Sequence, residues 1–332
     1  MLNVTGRRNE PTGDVMSQPR VGYLYGIGAY ALWGFMPLYI KLLVPAGPVE
    51  VLAHRVVWSV AVVAVVLFAV RGWRVLWRLA RRPASLGAVA LAAGILAVNW
   101  GTYIYGVQTD RVVETALGYF VNPLVVVLLG VGVFSERLRA VQWLAVGIGG
   151  TAVAVLTVNY GRVPYIALTL AVSFAAYGLL KKRLGLPAAQ GLFVESAVLA
   201  LPALGYLGWL AWRAESTFTA VSPAHTALLV AAGVVTAVPL LCFAGAANRI
   251  PLTGLGMLQY IAPIIQLACG VLVFREPMPP ARLAGFALVW LALTVFTVDG
   301  VRHARGKRRT LPVTLAPARR VAAVPEPLTA RS

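Results

Sequence analysis

Long apolar stretches separated by short polar breaks recur along the chain from Val21 to Asp299. A helix crosses the hydrocarbon core of a bilayer with about 20 mostly apolar residues, and each stretch approaches that length. The pattern therefore predicts an all-α polytopic membrane protein with ten transmembrane helices. The predicted spans are 21–43, 51–70, 85–107, 112–134, 141–159, 163–180, 189–210, 226–247, 252–274 and 281–299. Ten spans place both termini on the same side of the membrane.

Composition favours a membrane protein over a soluble one. Of the 332 residues, 59% are hydrophobic and 12% are charged, and the mean hydropathy is +0.79, whereas soluble domains carry about 25% charged residues. Residues 1–20 contain no short apolar segment of the signal-peptide kind, so we expect a cytoplasmic N-terminal tail without a cleaved signal. Residues 301–332 are rich in Arg, Ala and Pro, which predicts a disordered basic cytoplasmic tail.

The distribution of Lys and Arg predicts the orientation. If the N-terminus is cytoplasmic, 22 of the 29 basic residues fall in cytoplasmic segments, six fall on the outside and Arg55 lies within a span. Cytoplasmic loops carry an excess of Lys and Arg, so both termini are predicted to be inside. The net charge of +18 has no accompanying nucleic-acid motif. Its expected partners are anionic membrane lipids, and no nucleic acid is expected.

An internal repeat appears when the fourth span is compared with the ninth at an offset of 140 residues. The identical pairs are Pro123 and Pro263, Gly130 and Gly270, Val131 and Val271, Val133 and Val273, Phe134 and Phe274, and Glu136 and Glu276. Because five spans separate the copies, they cross the membrane in opposite directions. This predicts two inverted five-helix repeats, 21–160 and 161–300, unless the match is a coincidence between two apolar helices.

Four prolines within spans are predicted to break or bend their helices. They are Pro37, Pro123, Pro239 and Pro263. Each removes one backbone donor and frees the carbonyl four residues earlier, and interrupted helices commonly line the substrate cavities of transporters. Proline is also frequent in ordinary membrane helices, so the matched positions 123 and 263 carry most of the argument.

Polar and aromatic side chains within spans are candidates for a substrate cavity, since polar groups facing lipid are costly. Asn99 and Tyr103 stand four residues apart, with Trp100 beside them. Apart from the charged residues deep within spans, which are considered next, the other candidates are Tyr30, Trp33, Glu114, Asn122, Gln259, Tyr260 and Gln266. The alternative is packing or interhelical hydrogen bonding. For Glu114 in particular, an i, i+3 contact with Arg111 would explain the residue without a role in transport.

Deep charges are rarer than polar groups. Arg55, with His54 beside it, and Glu195 lie well inside the second and seventh spans and match at the same offset of 140. These three residues could form an ion pair, bind substrate or titrate in a cavity. Otherwise Arg55 and Glu195 snorkel to the nearer membrane surface.

Several kinds of chemistry are not indicated by the sequence. It contains no HExxH, GxSxG or P-loop motif, so we expect no catalytic residues, no metal site and no cofactor. Small residues four apart in the fifth span, including Ala145 and Gly149, predict a helix-packing face or a homodimer interface.

Four segments carry a family resemblance: NWGTYIYGVQTDRVVETALGYFVNPL (99–124), TAVPLLCFAGAANRIPLTGLGMLQYIAP (236–263), LAHRVVWS (52–59) and REP (275–277). Together they resemble the RarD branch of the EamA family in the drug/metabolite transporter superfamily. The resemblance implies two inverted EamA repeats, a bacterial inner-membrane location and permease activity. Small multidrug pumps of that superfamily use a carboxylate in their first helix, and this chain has none in its first or sixth span.

The sequence therefore predicts a secondary transporter that moves a small organic metabolite or drug by alternating access. One alternative is an intramembrane lipid-modifying enzyme, for which few nucleophiles or bases are available within spans. Another is a membrane receptor or scaffold, which would lack a soluble output domain.

Overall fold

The computed structural model describes residues 18–69, 83–134, 137–184 and 188–310, and within these ranges it contains helices and no strand. The first half comprises α1 (Gln18–Gly34), α2 (Met36–Leu42), α3 (Pro48–Ala69), α4 (Pro83–Gln108), α5 (Val112–Phe134) and α6 (Ala140–Tyr160). The second half comprises α7 (Tyr165–Leu184), α8 (Ala188–Trp212), α9 (Pro223–Ala247), α10 (Leu252–Leu258), α11 (Ile261–Ala268) and α12 (Pro280–Thr310). A π-helical turn, Cys269–Val273, follows α11.

Eight helical stretches of the described residues are long and apolar enough to cross a membrane. The predicted span 21–43 is not one of them, because it is divided between α1 and α2 at Phe35. The predicted span 163–180 corresponds to α7, whose apolar part, Tyr165–Lys181, is shorter than the eight. The helices establish a multi-pass membrane protein, while the number ten stays a prediction.

The prolines divide into two pairs. Pro37 begins α2 just after the interruption at Phe35, and Pro263 lies in the first turn of α11, just after the chain breaks between α10 and α11. Pro123 and Pro239 instead lie inside the continuous helices α5 and α9, so the predicted breaks at these two positions are wrong. A single proline removes only one hydrogen bond of the helix, and the neighbouring turns can hold the helix together.

The helices of the two halves interlock. Helix α3 contacts α8 and α9, and α7 contacts α4 and α5. Helix α1 contacts α9 and α11, and α6 contacts α12. The largest buried cluster joins α5, α6, α7 and α12 around Leu117, Phe120, Leu156 and Phe286. A second cluster includes Ile40, Ile104 and Leu170 and joins α2, α4 and α7. Both clusters therefore contain apolar side chains from both halves of the chain.

Two glycines permit close approaches between helices. A Cβ atom at Gly118 would lie 2.7 Å from the carbonyl oxygen of Ala167, and one at Gly233 would lie 2.4 Å from the carbonyl carbon of Trp58. Both distances are shorter than real Cβ contacts. The absence of a side chain therefore sets how closely α5 meets α7 and α9 meets α3.

Five connections meet at one end of the bundle, here called the capped end. They are 43–47, 109–111, 161–164, 213–222 and 274–279. Their contacts include an ion pair between Lys41 and Asp110 at 2.6 Å and a hydrogen bond from Gln108 Nε2 to the Ala46 carbonyl at 2.9 Å. The opposite end, which holds the start of α1 and the end of α12, is called the tail end.

Candidate substrate-binding site

Arg55 is a buried cation in the first half of α3, eight residues into the helix and 4% exposed. Its Nε donates a hydrogen bond to Thr236 Oγ1 of α9 at 3.1 Å. The guanidinium carbon lies 4.8 Å from the ring centroid of Trp100 of α4, within cation–π distance. Its Nη1 atom has no hydrogen-bond partner among the described residues. The side chain is held between Thr236 and Trp100 inside the bundle and does not extend to the surface of the bundle.

Three tyrosine hydroxyls, those of Tyr39, Tyr103 and Tyr119, lie within electrostatic range of the guanidinium. Tyr39 donates to the Leu228 carbonyl at 2.5 Å. The ring of Tyr103 meets that of Tyr119 edge-on, with centroids 5.9 Å apart. The Tyr103 hydroxyl is buried and has no hydrogen-bond partner in the described part of the chain. Arg55 and Tyr103 thus each bring an unused donor to the same interior region.

Asn99 connects this region to the second half of the chain. Its amide nitrogen donates to the Leu170 carbonyl at 3.1 Å and to Ser173 Oγ at 2.9 Å, both in α7. Its carbonyl oxygen lies 3.5 Å from the Tyr119 hydroxyl. The resulting group of interacting residues, here called the Arg55 cluster, consists of Tyr39, Arg55, Asn99, Trp100, Tyr103, Tyr119, Ser173 and Thr236. It draws on six helices from both halves.

Glu276 caps a helix at the capped end. Its two carboxylate oxygens accept hydrogen bonds from the backbone amides of Val112 and Val113, at 2.5 Å and 2.9 Å, at the start of α5. A carboxylate at a helix N-terminus is favoured because the first amides have no partner within the helix. Burial nevertheless raises the pKa of the Glu276 carboxyl, and the two amide hydrogen bonds offset part of that rise.

Two further carboxylates hold connections against helix starts. Glu114, 2% exposed, pairs with Arg162 at 2.6 Å and accepts from the Ile166 amide at 3.1 Å. The predicted contact of Glu114 with Arg111 is wrong, because Arg111 donates to Tyr165 while Arg162 approaches from the 161–164 connection. In the same way Glu50, at the start of α3, accepts from the Thr217 amide of the 213–222 connection at 2.7 Å.

Packing is tighter toward the capped end than toward the tail end. In α5, nearly every residue in the range 112–124 is buried, whereas most residues in the range 125–133 are partly or fully exposed. In α9, every residue in the range 240–245 is only partly buried. The Arg55 cluster therefore lies behind a closely packed layer on one side and a looser one on the other.

Glu195 belongs to a different network from Arg55. It is 1% exposed and pairs with Lys181 at 2.8 Å, and it accepts a hydrogen bond from Tyr177 at 2.9 Å. The alternative of an Arg55–Glu195 ion pair is therefore wrong, because a basic residue of α7 occupies the carboxylate. His54 is also separate: it stacks on Phe218 with centroids 4.8 Å apart, and its ring nitrogens lack partners among the described residues.

Another aromatic group lies between α1, α9 and α11. The ring centroids of Tyr30 and Trp33 are 5.5 Å apart, and each lies close to Phe243. Gln266 Nε2 donates to the Trp33 carbonyl at 3.2 Å, while its side-chain oxygen has no partner in the described ranges. These candidates are brought together with one another, and Trp33 packs against the same buried apolar cluster that includes Tyr103 of the Arg55 cluster.

The remaining candidates are dispersed. Gln259 and Tyr260 lie at the break between α10 and α11, where Tyr260 packs against the largest buried cluster. Asn122 is 7% exposed, and its side-chain oxygen has no partner among the described residues. The packing alternative accounts for Tyr260 better than a cavity does, while Asn122 keeps an unused acceptor.

Sequence reasoning named Arg55, Asn99 and Tyr103 as candidates and noted Trp100 beside the last two, but it did not single out the rest of the cluster. The other members are Tyr39, Tyr119, Ser173 and Thr236. Trp100 and Tyr119 fall within the 99–124 segment, and Thr236 begins the 236–263 segment. Their position as polar or aromatic residues inside these two segments could therefore have identified them. Tyr39 and Ser173 lie outside both segments, so this criterion would not have found them.

An open groove of about 320 Å³ lies elsewhere on the bundle. It is lined by Pro48, Val49, Gly101, Thr102, Tyr105, Tyr165 and Thr169. None of these belongs to the Arg55 cluster, and the walls are mainly apolar. The buried cluster, with its charge and unused donors, is the stronger candidate for ligand recognition. Within the described ranges, no three or more His, Cys, Asp or Glu side chains are grouped for a metal ion.

A multi-pass helical bundle with a buried polar cluster drawn from both halves has the architecture of a membrane transport protein. The sequence pattern of the EamA-like transporter family matches residues 20–158. The chain is 53% identical over 295 residues to protein RarD of Streptomyces exfoliatus, covering 89% of this chain and 94% of that protein. It therefore belongs to the EamA-like transporter family, as a RarD-type permease, which confirms the family resemblance.

Other relatives agree over similar lengths. The chain is 40% identical to the uncharacterized transporter YojE of Bacillus subtilis (strain 168), covering 88% of this chain and 98% of that one. It is 30% identical to the chloramphenicol-sensitive protein RarD of Pseudomonas aeruginosa, with coverage of 87% and 97%. A crystal structure with 21% sequence identity superposes with a TM-score of 0.55, covering 83% of this chain and 97% of its own. This last similarity concerns the fold alone.

Proposed function

We propose that the chain is a secondary transporter of a small organic molecule, with ten transmembrane helices in two inverted halves that alternate access to the Arg55 cluster. The observation that carries the proposal is the position of that cluster. It is buried, it has unused donors, and both halves contribute to it. A group held only by the contact between two halves changes its exposure when the halves rock against each other.

The pairing of helices supports the inverted repeat. At an offset of 140 residues, each predicted span of the first half corresponds to one span of the second half.

 The span formed by α1 and α2 corresponds to α7, α3 to α8, α4 to α9, α5 to the span formed by α10 and α11, and α6 to α12.

With these correspondences, exchanging the two halves leaves the contact pattern unchanged. The contacts of α7 with α4 and α5 become those of α1 with α9 and α11, and both sets are present. The contact of α3 with α9 becomes that of α8 with α4, which is also present. Exchanging the halves turns the contact of α3 with α8 into the same contact, and it does so for α6 with α12 as well. This is expected for helix pairs that lie beside a two-fold axis. This pattern supports the match between Pro123 and Pro263.

The excess of Lys and Arg supports a cytoplasmic N-terminus and C-terminus in a bacterial inner membrane. In that orientation the capped end faces outward and the tail end faces the cytoplasm. The three buried carboxylates Glu50, Glu114 and Glu276 then close the outer side by binding helix starts and connections. The looser packing of the tail end supports a state that is closed outward and nearer to opening inward.

Orientation is testable by reporter fusions. Alkaline phosphatase fused after Arg213 should be active, because that position is expected outside, and a fluorescent protein fused at Gly300 should fold in the cytoplasm. The opposite pattern would reverse the assignment of the two ends without affecting the fold.

Transport is testable with purified protein in proteoliposomes. Two labelled probes are used: chloramphenicol, because one relative is named chloramphenicol-sensitive, and hippurate, a small aromatic carboxylate. We expect saturable movement of at least one probe, which is absent from protein-free vesicles. If both probes enter the two kinds of vesicle at equal rates, the proposed transport function is not supported.

A further inference from the structure

Arg55 has no counter-ion among the described residues, and this sets it apart from the other buried charges. The ion pairs among the described residues involve Lys41, Arg139, Arg162, Lys181 and Arg213. Within the part of the chain that the structure describes, the hydrogen-bond partner of Arg55 is the neutral hydroxyl of Thr236. The buried carboxylates are bonded elsewhere, to Arg162, to Lys181 and to backbone amides. The positive charge is therefore left for something outside the described chain to neutralise.

The free part of the guanidinium has a defined geometry. Nε is used by Thr236, and the indole of Trp100 lies within cation–π distance of the guanidinium carbon, while Nη1 is unpartnered in the described structure. The Tyr103 hydroxyl is a second unused group in electrostatic contact with Arg55. A planar guanidinium binds a carboxylate through charge-assisted hydrogen bonds, and a neighbouring hydroxyl can donate to the same anion.

We propose that the Arg55 cluster binds the carboxylate of a small organic monoanion that carries an apolar or aromatic body. Nη1 of Arg55 and the hydroxyl of Tyr103 hold the carboxylate. The rings of Trp100, Tyr119 and Phe174 provide the wall for the body, with Tyr119 and Phe174 centroids 6.1 Å apart. The inference rests on the proposed transport function and names the substrate class of the same site.

Charge balance selects a monoanion over other ligands. A carboxylate neutralises the single charge of Arg55, whereas a neutral ligand leaves that charge uncompensated in a medium of low dielectric constant. A phosphate dianion would bring one negative charge too many. A zwitterionic amino acid would also bring an ammonium group, and no described Asp or Glu side chain bonds to a member of the cluster. An acid without a free ammonium group fits best.

The test measures ligand-induced thermal shifts of the purified protein in detergent. The probes are hippurate and 3-phenylpropionate, with their primary amides, phenylalanine and inorganic phosphate as comparisons. We expect the two carboxylates to raise the thermal midpoint saturably, while the amides, phenylalanine and phosphate have little effect. Equal shifts for acids and amides, or no shift with either acid, would overturn the proposal.

Substitutions separate a binding role from a structural one. Arg55→Gln should weaken carboxylate binding at least tenfold and raise the thermal midpoint of the free protein, because an uncompensated charge is removed. Arg55→Lys should recover part of the affinity, since it keeps the charge but loses the planar fork. Arg213→Gln, at an exposed ion pair, is the matched control and should bind as the parent does.

A purely structural role gives the opposite result. Arg55→Gln would then lower the midpoint of the free protein and keep the carboxylate-induced shift, which would overturn the inference. Transport of hippurate that is unaffected by Arg55→Gln would also contradict this site while leaving the transport function standing. Absence of transport with both probes, in contrast, would count against the proposed function itself.

Discussion

At the scale of single residues, the buried charges follow two different rules. Glu114 and Glu195 each lie beside a basic partner and a further donor, whereas Arg55 has one neutral hydroxyl and an indole ring. An uncompensated arginine at the centre of a membrane helix costs about 2.5–3.5 kcal/mol on the insertion scale. A group retained at that cost, with unused donors, is typical of a functional site.

Arg162→Gln tests how much the buried Glu114 depends on its partner. The substitution removes the charged donor at 2.6 Å and leaves the Ile166 amide as the described donor. We expect a loss of about 1–3 kcal/mol in the free energy of unfolding, because a buried acceptor loses a hydrogen bond. Arg213→Gln breaks a pair whose side chains are about half exposed, and should cost less than about 1 kcal/mol. Unfolding titrations in mixed detergent compare the two variants. Equal losses in the free energy of unfolding would contradict a larger stabilising role for the buried Arg162–Glu114 pair.

Glu276 predicts a dependence of stability on pH. Burial raises the pKa of Glu276 in the folded protein, and Asp110 and Arg282 also interact with it electrostatically. Its contribution to stability is therefore fully present below the pKa of an exposed glutamate and is lost as pH rises through the raised value. The thermal midpoint of the parent should fall relative to that of Glu276→Gln across this window.

Thermal scans between about pH 4 and pH 8 measure this difference. Gly132→Ala, which keeps Glu276, is the control, and its difference from the parent should not change with pH. A constant difference between Glu276→Gln and the parent would show that burial does not perturb this carboxyl.

The sequence predicted the depth of Arg55 and Glu195 because charged residues stand out within apolar spans. It did not predict their partners. The partner of Glu114, Arg162, lies 48 residues away, whereas an argument from helical spacing considers only neighbours on the same helix. Likewise Thr236 is 181 residues from Arg55. Contacts between distant segments depend on the packing of whole helices, which local spacing does not contain.

At the scale of helices, apolar length was sufficient to locate the elements, and the prolines were not sufficient to locate the interruptions. Pro37 and Pro263 lie beside interruptions, whereas α5 and α9 continue through Pro123 and Pro239. The same residue type removes the same hydrogen bond in all four cases. Whether the helix breaks depends on the surrounding helices, which only the folded structure provides.

Two glycines of α5 provide a matched test of helix packing. Gly118 meets the backbone of α7, whereas a Cβ atom at Gly132 would meet nothing within 4 Å. Gly118→Ala should therefore destabilise the protein by about 1–3 kcal/mol, because α5 and α7 must separate. Gly132→Ala should be neutral or stabilise by up to about 1 kcal/mol, since alanine favours the helix. Unfolding titrations measure both, and equal effects would show that the α5–α7 contact is not close.

At the scale of the whole molecule, the offset of 140 residues was visible in six identical pairs of the sequence. The contacts between helices follow the same exchange of halves. The sequence could not reveal which end is closely packed, because that depends on the conformation adopted and not on the repeat. The contacts of Glu50, Glu114 and Glu276 at the capped end, which we propose close the outer side, join connections and helix starts that are far apart in sequence.

Cysteine labelling tests this closure. Ser173→Cys, in a background where Cys242 and Cys269 are replaced by alanine, places a thiol of similar size in the Arg55 cluster. A membrane-impermeant thiol reagent should label it faster from the cytoplasmic side, because the outer side is closely packed. Thr219→Cys, in the exposed part of the 213–222 connection, should be labelled from the outside only and serves as the control for sidedness.

Adding Glu276→Gln to the Ser173→Cys protein should raise the rate of labelling from the outside. The amide cannot supply two carboxylate oxygens to the Val112 and Val113 amides, so the cap on α5 is weakened and the outward-open state becomes more populated. Labelling from the cytoplasmic side should fall in the same variant, because the two states exclude each other in alternating access. If labelling rises equally from both sides, the substitution has loosened the bundle as a whole, and the outer cap does not control access.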